Sequence, residues 1–166
     1  MSGDPLALLR RYRTAGVLID TNILLLLFVG TFDRSRIARF KRTVKFAEED
    51  YDLVVQLLAL FQKKVTTPNI LTEVSNLAGQ LEGHVKPGFF QTFAEGISLL
   101  VEDYVPSMTV AAMPAFRRFG LTDAGMLHTA QNRYLVLTDD FALWGYLASE
   151  GVSALNFDEI RTLNWT

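Results

Sequence analysis

Four acidic positions carry the chemistry this sequence most openly offers: Asp20 in "VLIDTN", Glu73 in "TPNILTEVSNL", Asp123 in "LTDAGML", and Asp139 with Asp140 in "LVLTDDF". Asp20 and the Asp139–Asp140 pair end short apolar, β-branched runs, whereas Glu73 and Asp123 fall in the opening turns of helical patterns. Ligands of open parallel sheets sit outside the carboxyl ends of the strands, so these acids are expected to converge on one edge. Carboxylates crowded together raise one another's pKa, and a hard cation among them removes the conflict. Mg²⁺ prefers oxygen ligands and keeps several waters, binding one or two carboxylates directly and leaving the others as outer partners or bases. An ion held this way can activate a water and steady a phosphate oxygen, which points to hydrolysis of a phosphodiester.

Each acid also has a plainer role available. Asp123 after Thr122 suits a helix N-terminus, Glu73 alone reads as a surface acid, and "TDD" alone reads as a turn and cap. Thr21 and Asn22 serve equally as caps. Asp20 is harder to excuse, because it interrupts the apolar run "VLIDTNILLLL" with no turn glycine or proline beside it. The joint placement carries the reading, and no single residue does.

The elements that must position these groups follow from pattern. "GVLID" reads as a strand buried on both faces, and "TNILLLLFVG" as a helix entered at Thr21 or Asn22 and closed by Gly30. Glu48 to Lys64 has acids first, apolar residues at helical spacing and lysines last, which suits the dipole at both ends. "VTTP" is expected to be a second strand, leading into a helix "NILTEVSNLAGQL" that starts near Pro68. "EGHVKPG" reads as a loop, "FFQTFAEGISLLVEDY" as a helix, and "VPSMTVAAMPAFRRFG" as a helix kinked or divided by Pro114. A helix capped by Thr122, a strand "YLVLTDD", a helix "FALWGYLASEG" and a last strand "VSALNF" complete an α/β pattern.

The bulk numbers bound the partners. A chain of 166 residues, 49% hydrophobic and 20% charged, is expected to be one soluble globular domain spanning 1–166. A net charge of -2 provides no global cationic field, so a nucleic acid would have to be held by a local patch. The absence of cysteine excludes disulfides, thiolate metal sites and a cysteine nucleophile, and makes the cytoplasm the default location. "MSGDPLALLRRYRTAG" lacks the order of a signal peptide, and the run Val17–Gly30 is short of the roughly 20 residues that span a bilayer, so no membrane role is expected. Two histidines at no zinc spacing and no GxxxxGK[ST] loop argue against a zinc site and a nucleoside-triphosphate enzyme.

"LIDTN", "TPNILTEVSNL", "LTDAGML" and "LVLTDDFAL", taken in this order from Val17 to about Phe157, resemble PIN-domain ribonucleases, the group that includes toxins of the VapC type and RNA-processing nucleases. The resemblance implies a Rossmann-like three-layer sandwich with a central parallel sheet, and Mg²⁺ or Mn²⁺ in an acidic pocket that cleaves single-stranded RNA. Carried over by position, Asp20, Glu73 and Asp123 match the first three acids. The fourth falls on "TDD", where the family pattern selects Asp140 with Thr138 in support, and Asp139 remains a candidate ligand. Asn22 matches the polar residue of "DTN" and is placed to hold a carboxylate or the phosphate. The stretches Gly30–Glu49 and Leu81–Phe119 are long for the compact toxins, so a toxin with an antitoxin partner stands as one option beside an RNA-processing or defence nuclease.

RNA contact would rest on Arg34, Arg36, Arg39, Lys41, Arg42 and Lys45, with His84, Lys86, Arg117 and Arg118 in support. The plainer reading makes this run a solvated helix face or loop. Two alternatives keep the same residues: a catalytically weak RNA- or protein-binding module, and an acid-cluster nuclease acting on DNA flaps. The apolar stripe of "DLVVQLLALF" would also suit a homodimer.

Overall fold

Burial and capping order the elements of the computed structural model, which describes residues 3–164; the ends of a 1–166 domain lie outside the described residues. Asp4 accepts the Leu6 N–H at 3.2 Å and starts α1 (Pro5–Tyr12). The proline stands in the first turn, where its missing N–H is not needed. β1 (Val17–Ile19) is fully buried, as its β-branched run suggested, and Asp20 caps the helix that follows, α2 (Thr21–Phe32). That helix does not stop at Gly30. A Cβ at this position would lie 2.2 Å from the Tyr51 ring, so the glycine serves close packing between α2 and α3 (Glu48–Ala59).

Between these helices the basic segment forms a 3₁₀ turn at Arg34–Arg36 and then irregular turns. Its apolar residues Ile37, Phe40 and Phe46 are buried, and they clip an otherwise charged stretch onto the body. α3 opens on Glu48, Glu49 and Asp50 as the dipole favours. It ends at Ala59, before the lysines, because Lys64 already belongs to β2 (Lys64–Thr66). Leu53, Val54, Leu57 and Leu58 face the core, leaving mainly Val55 and Leu60 exposed from the stripe.

Thr67 caps α4 (Pro68–Ala78), accepting the Ile70 N–H at 3.3 Å. The expected loop 82–88 is shortened, since Lys86 and Pro87 already open α5 (Lys86–Ile97). The helix expected over 89–104 also stops early. Its tail turns into β3 (Val101–Glu102), tied to β2 by the Asp103 N–H to Thr66 carbonyl bond of 2.9 Å. Pro114 falls between α6 (Ser107–Ala111) and α7 (Phe116–Ala130), so the divided helix occurs. α7 is broken again at Gly120, whose φ of 82° only glycine adopts freely. β4 (Leu135–Thr138), α8 (Phe141–Ser149), β5 (Ala154–Asn156) and α9 (Phe157–Asn164) complete the described chain. The last strand is shorter than expected, because the buried Phe157 already begins α9.

All five strands run parallel in the order β3-β2-β1-β4-β5, with Val17 opposite both Lys64 and Leu135. The protein is α/β, a five-stranded parallel sheet flanked by helices, as in Rossmann-like three-layer sandwiches. The chain leaves β1 toward β2 but leaves β4 toward β5. The connections that follow these two neighbours therefore part in opposite directions, and such a switch point is where ligands of open parallel sheets bind. Among the described residues no helix is long and apolar enough to cross a membrane.

Candidate metal centre

The carboxyl ends of β1 and β4 are followed by Asp20 and by the Thr138–Asp140 turn. The Asp20 N–H donates to the Leu137 carbonyl at 2.9 Å, which continues the ladder one residue past β1 and fixes where the carboxylate starts. Its Oδ1 accepts the Thr21 N–H at 2.7 Å, and its Oδ2 accepts the Thr138 hydroxyl at 2.5 Å. Burial pushes the Asp20 carboxyl up to about 6 against these two stabilising bonds, and the neighbouring charges of Asp139 and Asp140 add to the rise.

Thr138 also accepts the Asp140 N–H at 3.0 Å, so one hydroxyl joins Asp20 to the turn that carries the fourth acid. Asp140 is exposed and caps α8 through the Leu143 N–H at 3.0 Å. Glu73 reaches the same edge from the second turn of α4. Its Oε2 accepts the Thr21 hydroxyl at 2.9 Å and its Oε1 the Thr122 hydroxyl at 2.6 Å. Thr122, expected as a helix cap, instead spends its hydroxyl on this carboxylate.

Asp123 stands beside that clamp, just after the Gly120 break that restarts α7. Among the described residues no donor reaches its half-buried carboxylate. Burial first, then the charges of Asp20, Glu73 and Asp140, push it up to about 7. Asp20, Glu73, Asp123 and Asp140 are thus brought together on one edge.

Asp139 lies near Asp20 but already has partners of its own. Its carboxylate is ion-paired with Lys45 and accepts Asn22 Nδ2 at 3.3 and 3.5 Å, so Asn22 holds a carboxylate of this edge. Arg34 is paired with Glu48 at 3.3 Å and Asp52 at 2.6 Å, and Arg42 donates to Gln80 at 2.8 Å. Neither makes a polar contact with the acid group, whereas Lys45 makes one.

The donor set fits a hard divalent cation. All of it is oxygen, two of its carboxyls are pushed up to about 6 and about 7 by burial and by neighbouring acids, and among the described residues no donor satisfies Asp123. Among the described residues no three His, Asp or Glu side chains are set to grip an ion together. An ion that keeps its waters and takes one or two carboxylates directly has no need of a ready-made cage.

Sequence reasoning missed the two threonine clamps on Glu73 and the inward turn of Lys45. The only local signal was that Thr21 and Thr122 each adjoin an acid, Asp20 and Asp123. Set against protein-family models, curated proteins and solved structures, the chain finds no match.

Proposed function

We propose that this chain is a PIN-like, Mg²⁺- or Mn²⁺-dependent endoribonuclease that cleaves phosphodiester bonds of single-stranded RNA. The observation that carries the reading is the Asp123 carboxylate, unpartnered among the described residues and drawn beside Asp20, Glu73 and Asp140 at the carboxyl ends of β1 and β4. Charges so placed oppose folding unless a ligand uses them. The ordered resemblance of the four acidic motifs adds RNA as the substrate class.

Asp20 and Asp123 would hold the ion, with Asp140 and Glu73 around it. Such an ion, when bound, supplies a hydroxide-like nucleophile at neutral pH and neutralises charge on the phosphoryl oxygens. The chain's own part is orientation. Thr138 donates to Asp20 Oδ2, and Thr21 with Thr122 engages both oxygens of Glu73.

A second reading draws on the protein donors that already satisfy Glu73 and Asp139: the fold as a non-catalytic RNA- or partner-binding module. Cleavage of single-stranded RNA, single-stranded DNA and flapped duplex, in EDTA and in Mn²⁺, by wild type and Asp20→Asn separates the readings. The nuclease reading expects Mn²⁺-dependent RNA cleavage that the variant loses. RNA retention without cleavage at any Mn²⁺ concentration establishes the binding module, and cleavage confined to the flapped duplex moves the activity to DNA.

A further inference from the structure

Lys45 differs from every other cation of the basic segment in what it touches. Arg34 and Arg36 meet surface acids, Arg39 bonds Ser35, and Arg42 bonds Gln80. Lys45 instead reaches Asp139, whose side chain is 1% exposed, while about half of its own remains in solvent.

The segment is built to deliver it. Phe46 is buried beside it, and both the Lys45 ammonium and the Arg161 guanidinium lie over the Phe46 ring, at 5.1 and 5.5 Å. Arg161 grips the buried Asp50 with two bonds of 3.1 and 2.7 Å and donates to the Lys45 carbonyl at 3.4 Å. Asp50 in turn accepts the Ala47 N–H at 2.8 Å. The backbone from the Lys45 carbonyl to Ala47 is therefore pinned, and the Lys45 ammonium completes a site whose other members are the Asp139 carboxylate and the Asn22 amide.

We propose that Lys45 is a built-in cation of this acidic edge, its ammonium standing at Asp139 where a second divalent ion would otherwise bind, so that the chain holds one exchangeable metal. A carboxylate this buried requires a countercharge, and a tethered ammonium provides it with no ion to lose. Lysine is a compact point charge with three donors, so N–H groups beyond the one given to Asp139 remain for a phosphate oxygen on the solvent side. The count of one metal rests on the metal-dependent reading above; the occupation of Asp139 does not.

Calorimetric titration with Mn²⁺ at pH 7.5 tests it on the full chain, with no reliance on activity. Wild type is expected to bind about one ion, Lys45→Met about two, and Lys45→Met combined with Asp139→Asn about one again. Lys45→Arg, which keeps the charge, stays at one and checks that the segment tolerates substitution. Unchanged stoichiometry and affinity in Lys45→Met overturns the proposal, including the case in which that variant merely melts earlier, which would make Lys45 a structural tether. Two ions in wild type also overturn it while leaving the metal reading standing. An ion bound by Lys45→Met but not by wild type supports Lys45 and removes the metal reading, and no ion in either removes both.

Discussion

Thr122 donates its hydroxyl to Glu73 Oε1 at 2.6 Å, across 49 positions of sequence, and so ties the residue before one acid to another acid. Thr21 does the same to Oε2 from the residue after Asp20. Threonines adjoining two acids therefore hold a third, and disturbing one clamp should alter the pocket more than the fold. Thr122→Val is expected to cost about 1 kcal/mol of stability, the worth of one hydrogen bond, yet to lower RNA cleavage by at least about tenfold. Thr122→Ser should restore both. Paired melting curves and initial cleavage rates check this.

Asp20→Asn is expected to abolish cleavage without lowering the melting temperature measured in EDTA. The variant removes a buried charge, while its amide oxygen still accepts from Thr21 or Thr138. A stabilising shift on adding Mn²⁺, present in wild type, should disappear with it. Differential scanning fluorimetry of both proteins with and without Mn²⁺ provides the comparison.

The pH dependence has a definite sign. Asp20 and Asp123 are raised from 3.8 to about 6 and about 7, so the folded chain holds protons that the unfolded chain releases. Their contribution to stability is complete below pH 3.8 and is lost as pH rises through 6 and 7. Between pH 5 and 8 in EDTA, Asp20 alone should account for a loss of roughly 1–2 kcal/mol. Mn²⁺ should offset that loss, and its stabilisation should be larger at pH 8 than at pH 5.5, where protons compete for the same oxygens. Urea unfolding across this range, with and without Mn²⁺, measures both.

Arg161→Ala removes the partner of Asp50, whose side chain is 1% exposed, and leaves a buried carboxylate short of its countercharge. A destabilisation of about 3–5 kcal/mol is expected. Asp50→Asn in the same chain should recover part of it, a coupling that a double-mutant cycle in urea resolves.

Gly30→Ala places a methyl 2.2 Å from the Tyr51 ring. The helix itself would gain from the alanine, so the net destabilisation of about 1–3 kcal/mol reports the clash. Shortening the ring with Tyr51→Ala should convert the same alanine from harmful to neutral.

How much of this was legible in the chain varies with the range of the interaction. The junction of β1 and α2 could be read because a β-branched buried run, a capping aspartate and a long apolar helix are all local signals. The convergence of the four acids could be read because parallel topology carries strand ends, and the amino ends of the connecting helices, to one edge whatever lies between them. β3 could not: two exposed residues at a sheet margin show no periodicity, and helical spacing ran straight through them. Nor could the second duties of Thr21, Thr122 and Lys45, whose side chains are committed to partners 52, 49 and 94 positions away. Threonine before or after an acid looks the same whether it caps its own helix or grips a distant carboxylate.

The brevity of β3 also limits how another copy of this protein could pair along that margin of the sheet. A parallel sheet with a long bare margin is a template for further strands, and chains so built are prone to pair edge to edge. Here that margin is Val101 and Glu102 alone, with a charged residue on it and the next N–H, that of Asp103, already given to Thr66. Backbone pairing has too little length there to recruit a stranger. Association on this side has to come from side chains such as Leu99, Tyr104 and Met108, which stand 80%, 74% and 86% exposed around the stub and can be varied one at a time without disturbing the sheet.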